Sequence, residues 1–172
     1  CYLNSDIIFN TSPREYIDQI TFKDFMAVGQ RLDVYNYPNI SKSELHNPGG
    51  IDYFFFTPKF RDWSDMPDFS IARGRFDHWL MGSALETNHP TVDLTQVFLP
   101  THPEPNKRVT ARWWDLYADG NFKLAYQIYR NYLWFARDKK HGQTNMTSHL
   151  LTQDGLSIRK HKPANEFGKI FI

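Results

Sequence analysis

Asp6 stands in Tyr2-Leu3-Asn4-Ser5-Asp6-Ile7-Ile8, an acid in a short polar break between apolar residues. Such a break reads as a strand running into a turn, and a carboxylate at the mouth of that turn suits a hard cation such as Mg2+ or Mn2+. The same acid would serve equally as a turn former. Asp77, in Phe76-Asp77-His78-Trp79-Leu80, follows the cationic run Arg73-Gly74-Arg75. In the first turn of a helix its charge is favoured by the helix dipole; in a cleft it could act as a general base or hold a hydroxyl, with Arg73 or Arg75 near a phosphate. His102 lies among Pro100, Pro103 and Pro105. Open αβ sheets collect ligands in loops that follow strands, although a lone histidine is more often structural. Arg31 and Asp33, just after Gly29, form a polar pair at a strand end, or a surface ion pair of little energetic weight. These residue types suit transfer from a diphosphate donor, which needs a cation, a stabilised leaving phosphate and often a carboxylate to deprotonate the acceptor hydroxyl.

The elements that must position these groups follow from patterning. Tyr2-Leu3 and Ile7-Ile8-Phe9 read as a buried strand around the polar break. Ser12-Pro13 with Glu15 predicts a capped short helix that turns Tyr16, Ile17 and Ile20 inward, and Phe25 to Gly29 predicts a second strand. Pro38 to Gly50 is polar and ends in Pro48-Gly49-Gly50, so an exposed loop is expected. Ile51 to Thr57 reads as a strand buried on both faces. After a loop from Asp62 to Asp68, Phe76, Trp79, Leu80, Ser83 and Ala84 recur at helical spacing on one face. Val92 to Leu99 reads as a strand closed by the prolines around His102. A longer helix is expected from Asp119-Gly120-Asn121, with Ala125, Ile128, Tyr129, Tyr132, Phe135 and Ala136 covering the sheet and Gly142 as its stop. Asp154-Gly155, between Leu150-Leu151-Thr152 and Leu156-Ser157-Ile158, predicts a hairpin with a type I′ turn. Strands alternating with helices give an α/β class: an open mixed sheet with flanking helices, expected as one domain over residues 1–172.

Composition limits the partners. The chain has 172 residues, 41% apolar and 16% aromatic, enough to bury a substantial core. Lys and Arg number 20 against 19 Asp and Glu, so no charge excess recruits nucleic acid or an anionic membrane. The longest apolar runs fall short of the roughly 20 residues of a spanning helix. The single cysteine, Cys1, excludes an internal disulfide. Asn10-Thr11-Ser12, Asn39-Ile40-Ser41 and Asn145-Met146-Thr147 fit the N-glycosylation pattern, which points to a Golgi or other secretory lumen, with the cytoplasm as the alternative.

Four ordered blocks carry a family resemblance. They are Tyr2 to Ile8, Val28-Gly29-Gln30-Arg31-Leu32-Asp33, Gly50-Ile51-Asp52-Tyr53-Phe54-Phe55-Phe56, and Met66 to Leu80; a weaker fifth is Val92-Asp93-Leu94-Thr95 followed by His102. Together they span about 100 of the 172 residues. The set resembles a family of glycosyltransferases with the GT-A, nucleotide-diphospho-sugar transferase fold. The resemblance implies a variant DXD motif at Asn4 and Asp6 for the cation and donor diphosphate, and His102 completing a Mn2+ or Mg2+ site. It implies Arg31 and Arg73 near the diphosphate and Asp77 acting on a glycan or other hydroxyl acceptor. The family's Trp-Asp-Asn-Trp-Leu signature is Phe76-Asp77-His78-Trp79-Leu80 here, and Pro103-Glu104-Pro105 replaces the polar residues after its histidine. GT-A domains open with a nucleoside-binding βαβ region ahead of the metal motif, so the chain is expected to hold the metal and acceptor half, with the nucleoside-binding half and any membrane anchor outside it. An inactive relative, serving as a structural or glycan-binding module beside an assembly partner, is the alternative.

Overall fold

The computed structural model describes residues 1–71, 73–103 and 113–160. In chain order these form β1 (Tyr2–Leu3), α1 (Arg14–Ile17), β2 (Met26–Val28), β3 (Leu32–Asn36), β4 (Asn39–Leu45), β5 (Tyr53–Phe56), α2 (Phe76–Leu85), β6 (Thr91–Asp93), β7 (Thr101–Pro103), α3 (Trp113–Ala118), α4 (Phe122–Asp138), β8 (His149–Thr152) and β9 (Gly155–Ile158), with a 3₁₀ turn at Thr144–Met146 before β8. Two open mixed sheets result, one ordered β1-β5-β2-β6-β8-β9 and one β4-β3-β7, flanked by helices. In the larger sheet β2, β6 and β8 run parallel, while β1, β5 and β9 are antiparallel to their neighbours.

The period-2 alternation of strand side chains divides the core. Met26, Val28 and Phe54 point to one face, where they meet Phe69, Phe76, Trp79, Leu80 and Ala84. Ala27, Tyr53 and Val92 point to the other, with Ile20, Phe25, Leu94, Phe98 and Leu151. The expected two-faced burial of the strand after Gly50 is therefore present, with Tyr53 and Phe54 divided between the two clusters.

Several expectations are corrected. β1 is an edge strand, with Tyr2 half-buried and Leu3 exposed, because among the described residues only β5 pairs with it. Glu15 closes no capping box; the N-cap position is Pro13, and only the Ser12 hydroxyl accepts from a backbone N–H, that of Arg14 at 3.3 Å. The polar segment after Pro38 is strand β4, paired antiparallel with β3 across a turn containing the cis Tyr37–Pro38 peptide. Its sequence hides the strand because β4 is an edge with both faces largely in water, so nothing imposes apolar alternation. The strand expected from Val92 to Leu99 stops at Asp93, whose carboxylate accepts from Thr95 N at 2.8 Å and turns the chain. His102 consequently lies in β7 and not in a proline-rich loop; Glu104 and Pro105 are outside the described residues. The hairpin forms, but Gln153 and Asp154 make its turn and Gly155 takes the positive φ of 108° at the start of β9, the arrangement of a bulged turn in place of type I′.

The helices depart from the sequence reading at their contacts. α2 buries Met81 and Gly82 as well as the expected stripe, because the chain after α4 covers its second side. A Cβ on Gly82 would lie 2.4 Å from His141 N, and one on Gly142 would lie 2.6 Å from Gly82 N. Gly142 is therefore a close-contact residue, and the stop of α4 is Lys139 in the left-handed region. Tyr129, Tyr132 and Ala136 face solvent; α4 turns Ala125, Asn131 and Asp138 inward, toward α2 and the loop before it. Asn131 was missed as an inward residue because it is polar, yet it is fully buried and its amide meets that loop at three backbone groups. Its Oδ1 accepts from Ser70 N at 2.9 Å, and its Nδ2 donates to Ser70 O at 2.8 Å and Arg73 O at 3.0 Å. Asn131→Ala strands these groups, and a loss of about 2 kcal/mol or more is expected in urea unfolding, with faster amide exchange at Ser70.

Candidate functional site

The two sheets meet where the chain passes from one to the other. Among the described residues four passages do this, from β1 to the Ile8–Thr101 bridge, from β2 to β3, from β4 back to β5, and from β6 to β7. They lie at the carboxyl ends of the parallel strands β2 and β6, the side on which open αβ sheets bind ligands. Each passage brings one predicted block to the seam.

Asn4, Ser5, Asp6 and Ile7 form a tight turn, closed by Ile7 N donating to Asn4 O at 3.2 Å. Reciprocal hydrogen bonds between Ile8 and Thr101, at 2.8 and 2.9 Å, then tie this turn to the start of β7. Asp6 is thereby set beside His102, with Oδ2 3.1 Å from Nε2. The Asp6 side chain is 60% exposed and that of His102 14%, so the pair has one open side and one closed side.

Behind the pair runs a network of charges. Asp33 and His102 are register partners in the parallel β3–β7 ladder, and Asp33 Oδ1 lies 3.4 Å from His102 Nδ1. Asp33 also accepts from Arg31 Nε at 2.8 Å and pairs with His46 Nδ1 at 2.6 Å. Arg31 donates onward to Asp52, and Asp52 accepts from Asn4 Nδ2 at 2.6 Å. The Arg31–Asp33 pair is thus not a surface ion pair: both side chains are 8% exposed. Arg31 is held inside the network, while Arg73 lies exposed at the neighbouring cavity.

That cavity, of about 170 Å³, is lined by Tyr2, Asn4, Ile51, Arg73, Gly74, Phe76 and Asp77. Asp77 sits in the first turn of α2, half-buried, after Arg75 at φ 79°, a left-handed conformation uncommon for a side-chain-bearing residue. Arg75 points away from the cavity lining, stacking its guanidinium 4.9 Å from the Tyr132 ring centre and 5.2 Å from that of Phe135. The six residues singled out from sequence therefore fall into two adjoining groups. Asn4, Arg73 and Asp77 share the cavity; Asp6, Arg31 and His102 share the network; and the Asn4–Asp52 hydrogen bond joins them.

Sequence reasoning gave no role to Asp52 or His46. Asp52 had a usable signal, since an acid inside the run Ile51 to Phe56 must be paired if that run is buried. His46 had none, lying in a segment read as loop.

Burial on its own pushes the Asp33 carboxyl up, but hydrogen bonds from Arg31 and His46, with their charges, outweigh it and hold the group below its ordinary value. Burial pushes His141 down, helped by His78 and Arg75 and opposed by Asp77, and burial alone lowers His149. All three bind protons more readily in the unfolded chain, so stability rises with pH between each pair of values. Acid unfolding is expected in two stages. The histidine contribution is complete above 6.5 and lost as pH falls through the lower folded-state values; that of Asp33 is complete above 3.8 and lost below it. Urea midpoints measured from pH 8 to pH 3 check this, and His141→Gln is expected to flatten the first stage.

Among the described residues no group of three or more His, Cys, Asp or Glu side chains is arranged to hold a metal ion. The donor set at the mouth of the seam is instead a pair, one carboxylate oxygen and one imidazole nitrogen. Such a pair fits a hard divalent cation of the Mg2+ or Mn2+ type, which commonly uses one or two protein ligands and completes its shell with phosphates and water. No family model, curated protein or solved structure matches the chain.

Proposed function

We propose that this chain carries the metal and acceptor site of a GT-A-like glycosyltransferase, which moves a sugar from a nucleotide-diphosphate donor to a glycan or other hydroxyl acceptor. The observation that supports it most is the convergence of Asp6 and His102 at 3.1 Å across 96 positions of sequence, next to a cavity holding Asp77 and Arg73. A Mn2+ or Mg2+ ion bound there would neutralise charge on the donor diphosphate and on the leaving phosphate. Asp6 and His102 supply its protein ligands. Asn4, fixed by Asp52, presents a polar edge to the cavity, and Arg73 brings positive charge to its rim. Arg31 acts on the diphosphate side indirectly, by holding Asp52 and Asp33 in place. Asp77, which lines the same cavity as Asn4, accepts the proton of the attacking hydroxyl.

The exposure of Asn10, Asn39 and Asn145 agrees with a secretory lumen such as the Golgi, where these acceptors would carry glycans. No helix among the described residues is long and apolar enough to cross a membrane. The full-length protein, incubated with a panel of nucleotide sugars and simple glycan acceptors, is expected to transfer sugar only when Mn2+ or Mg2+ is supplied. Asp77→Asn is expected to depress transfer while leaving metal-dependent donor binding in place. No transfer and no metal-dependent donor binding across the panel would defeat this reading in favour of an inactive, glycan-binding or structural module.

A further inference from the structure

We propose that Asp52 is a positioning residue that turns the carbonyl edge of Asn4 into the neighbouring cavity, so that this wall reads the hydroxyls of a sugar ring and not a phosphate. The orientation of the amide stands on geometry alone; the identity of the ring as a sugar rests on the functional reading above. Asn4 is tied to residue 52 twice, by its backbone N–H to Asp52 O at 2.9 Å and by Nδ2 to Asp52 Oδ1 at 2.6 Å. A carboxylate paired with Arg31 only accepts, so the nitrogen of the Asn4 amide must face Asp52. The other edge of the amide agrees, since Oδ1 accepts from the Tyr2 hydroxyl at 2.8 Å. Among the described residues Tyr2 lines the cavity and Asp52 does not, so the edge turned to the cavity is the carbonyl one.

The rest of the lining completes an acceptor wall beside an apolar floor. With its proton given to Asn4, the Tyr2 oxygen offers lone pairs only, and the Asp77 carboxylate adds two more acceptor oxygens. Phosphate oxygens are acceptors too, so this wall repels them, whereas hydroxyls supply the protons that it lacks. Arg73, exposed at the rim, is the group left for a phosphate. Ile51 and Phe76 are buried, and the Tyr2 ring stands edge-on to Phe76 with centres 5.2 Å apart, which gives the C–H face of a ring an apolar surface. At about 170 Å³ the cavity is smaller than the roughly 300 Å³ at which ligand pockets begin, so it takes one ring and not a nucleotide. The ligand class is therefore a neutral, hydroxyl-bearing ring, the sugar of the donor or that of the acceptor.

The test follows the Asn4 side-chain amide by ¹⁵N–¹H correlation in the full-length protein. The probes are methyl glycosides of glucose, galactose and mannose, nucleoside-diphosphate hexoses with Mg2+, and the matching nucleoside diphosphates with Mg2+. A shift of the Asn4 amide with a methyl glycoside upholds the proposal and assigns the ring to the acceptor. A shift with a nucleotide sugar but not with its nucleoside diphosphate upholds it and assigns the ring to the donor. A nucleoside diphosphate that moves Asn4 as far as its nucleotide sugar does, or an amide that no probe moves, overturns it. Asp52→Asn is expected to turn the Asn4 amide over and to weaken the responding probe about tenfold. Asn4→Asp with Asp52→Asn exchanges the two groups, again leaves an oxygen toward the cavity, and is expected to restore the affinity. A double variant that melts like the unaltered protein yet binds as weakly as Asp52→Asn overturns the positioning role; if either variant does not fold, the titrations of the unaltered protein decide. Methyl glycoside binding at Asn4 with neither transfer nor metal-dependent donor binding would uphold this proposal and remove the transferase reading, and transfer by a protein whose Asn4 answers to the diphosphate would do the reverse.

Discussion

On the proposed transferase reading, Asp6→Ala is expected to lower metal-dependent sugar transfer by the full-length protein by roughly 100-fold or more while the fold survives. A bound divalent ion stabilises developing phosphate charge by several kcal/mol, and each ~1.4 kcal/mol is a tenfold change in rate. The loss is local because the Asp6 side chain is 60% exposed and belongs to neither hydrophobic cluster. Initial rates with Mn2+ present, set beside thermal melts of both proteins, separate the two effects. Unchanged turnover would remove Asp6 from the chemistry, and a collapsed melt would make it structural.

The largest stability effect is expected at Trp79. Its ring is fully buried where α2, α4 and the larger sheet meet, and its Nε1 donates to Asp138 at 2.8 Å. Arg61 and Lys140 lie over the same ring at 5.1 and 5.2 Å. Trp79→Ala removes the anchor and leaves a cavity, so a loss of about 3–5 kcal/mol is expected from urea unfolding. Trp79→Phe retains most of the contact but withdraws the donor from Asp138, and about 1–2 kcal/mol is expected. A cost below about 1 kcal/mol for the alanine variant would mean that α4 does not close on α2 as described. Trp79 follows Asp77 by two residues, so the same variants test whether the cavity depends on helix packing.

Legibility in the sequence followed burial. Met26 to Val28 and Tyr53 to Phe56 were readable as strands because both faces are covered and the apolar run is continuous. Asn39 to Leu45 was not, because an edge strand in water needs no apolar pattern and its polar residues imitate a loop. The inward face of α4 was misjudged at Asn131 and Asp138, where helix packing is carried by hydrogen bonds to a loop and an indole instead of by apolar contact. In the candidate site, Asp6, Asp77 and His102 announced themselves by residue type, and Asp6 and Asp77 also by their place at the ends of elements. Asp33, Asp52 and His46 are joined to partners distant in sequence, which the strand registers and the turn at Asn4 bring within reach.

The most direct measurement of the central claim is a Mn2+ titration of the chain followed by the electron paramagnetic resonance signal of the free ion. Saturable binding at one site is expected, weakened by Asp6→Ala and by His102→Ala alike and untouched by substitutions at exposed acids such as Glu44. A free-ion signal that is the same with and without protein, or binding that survives both substitutions, would contradict a cation site at the seam of the two sheets.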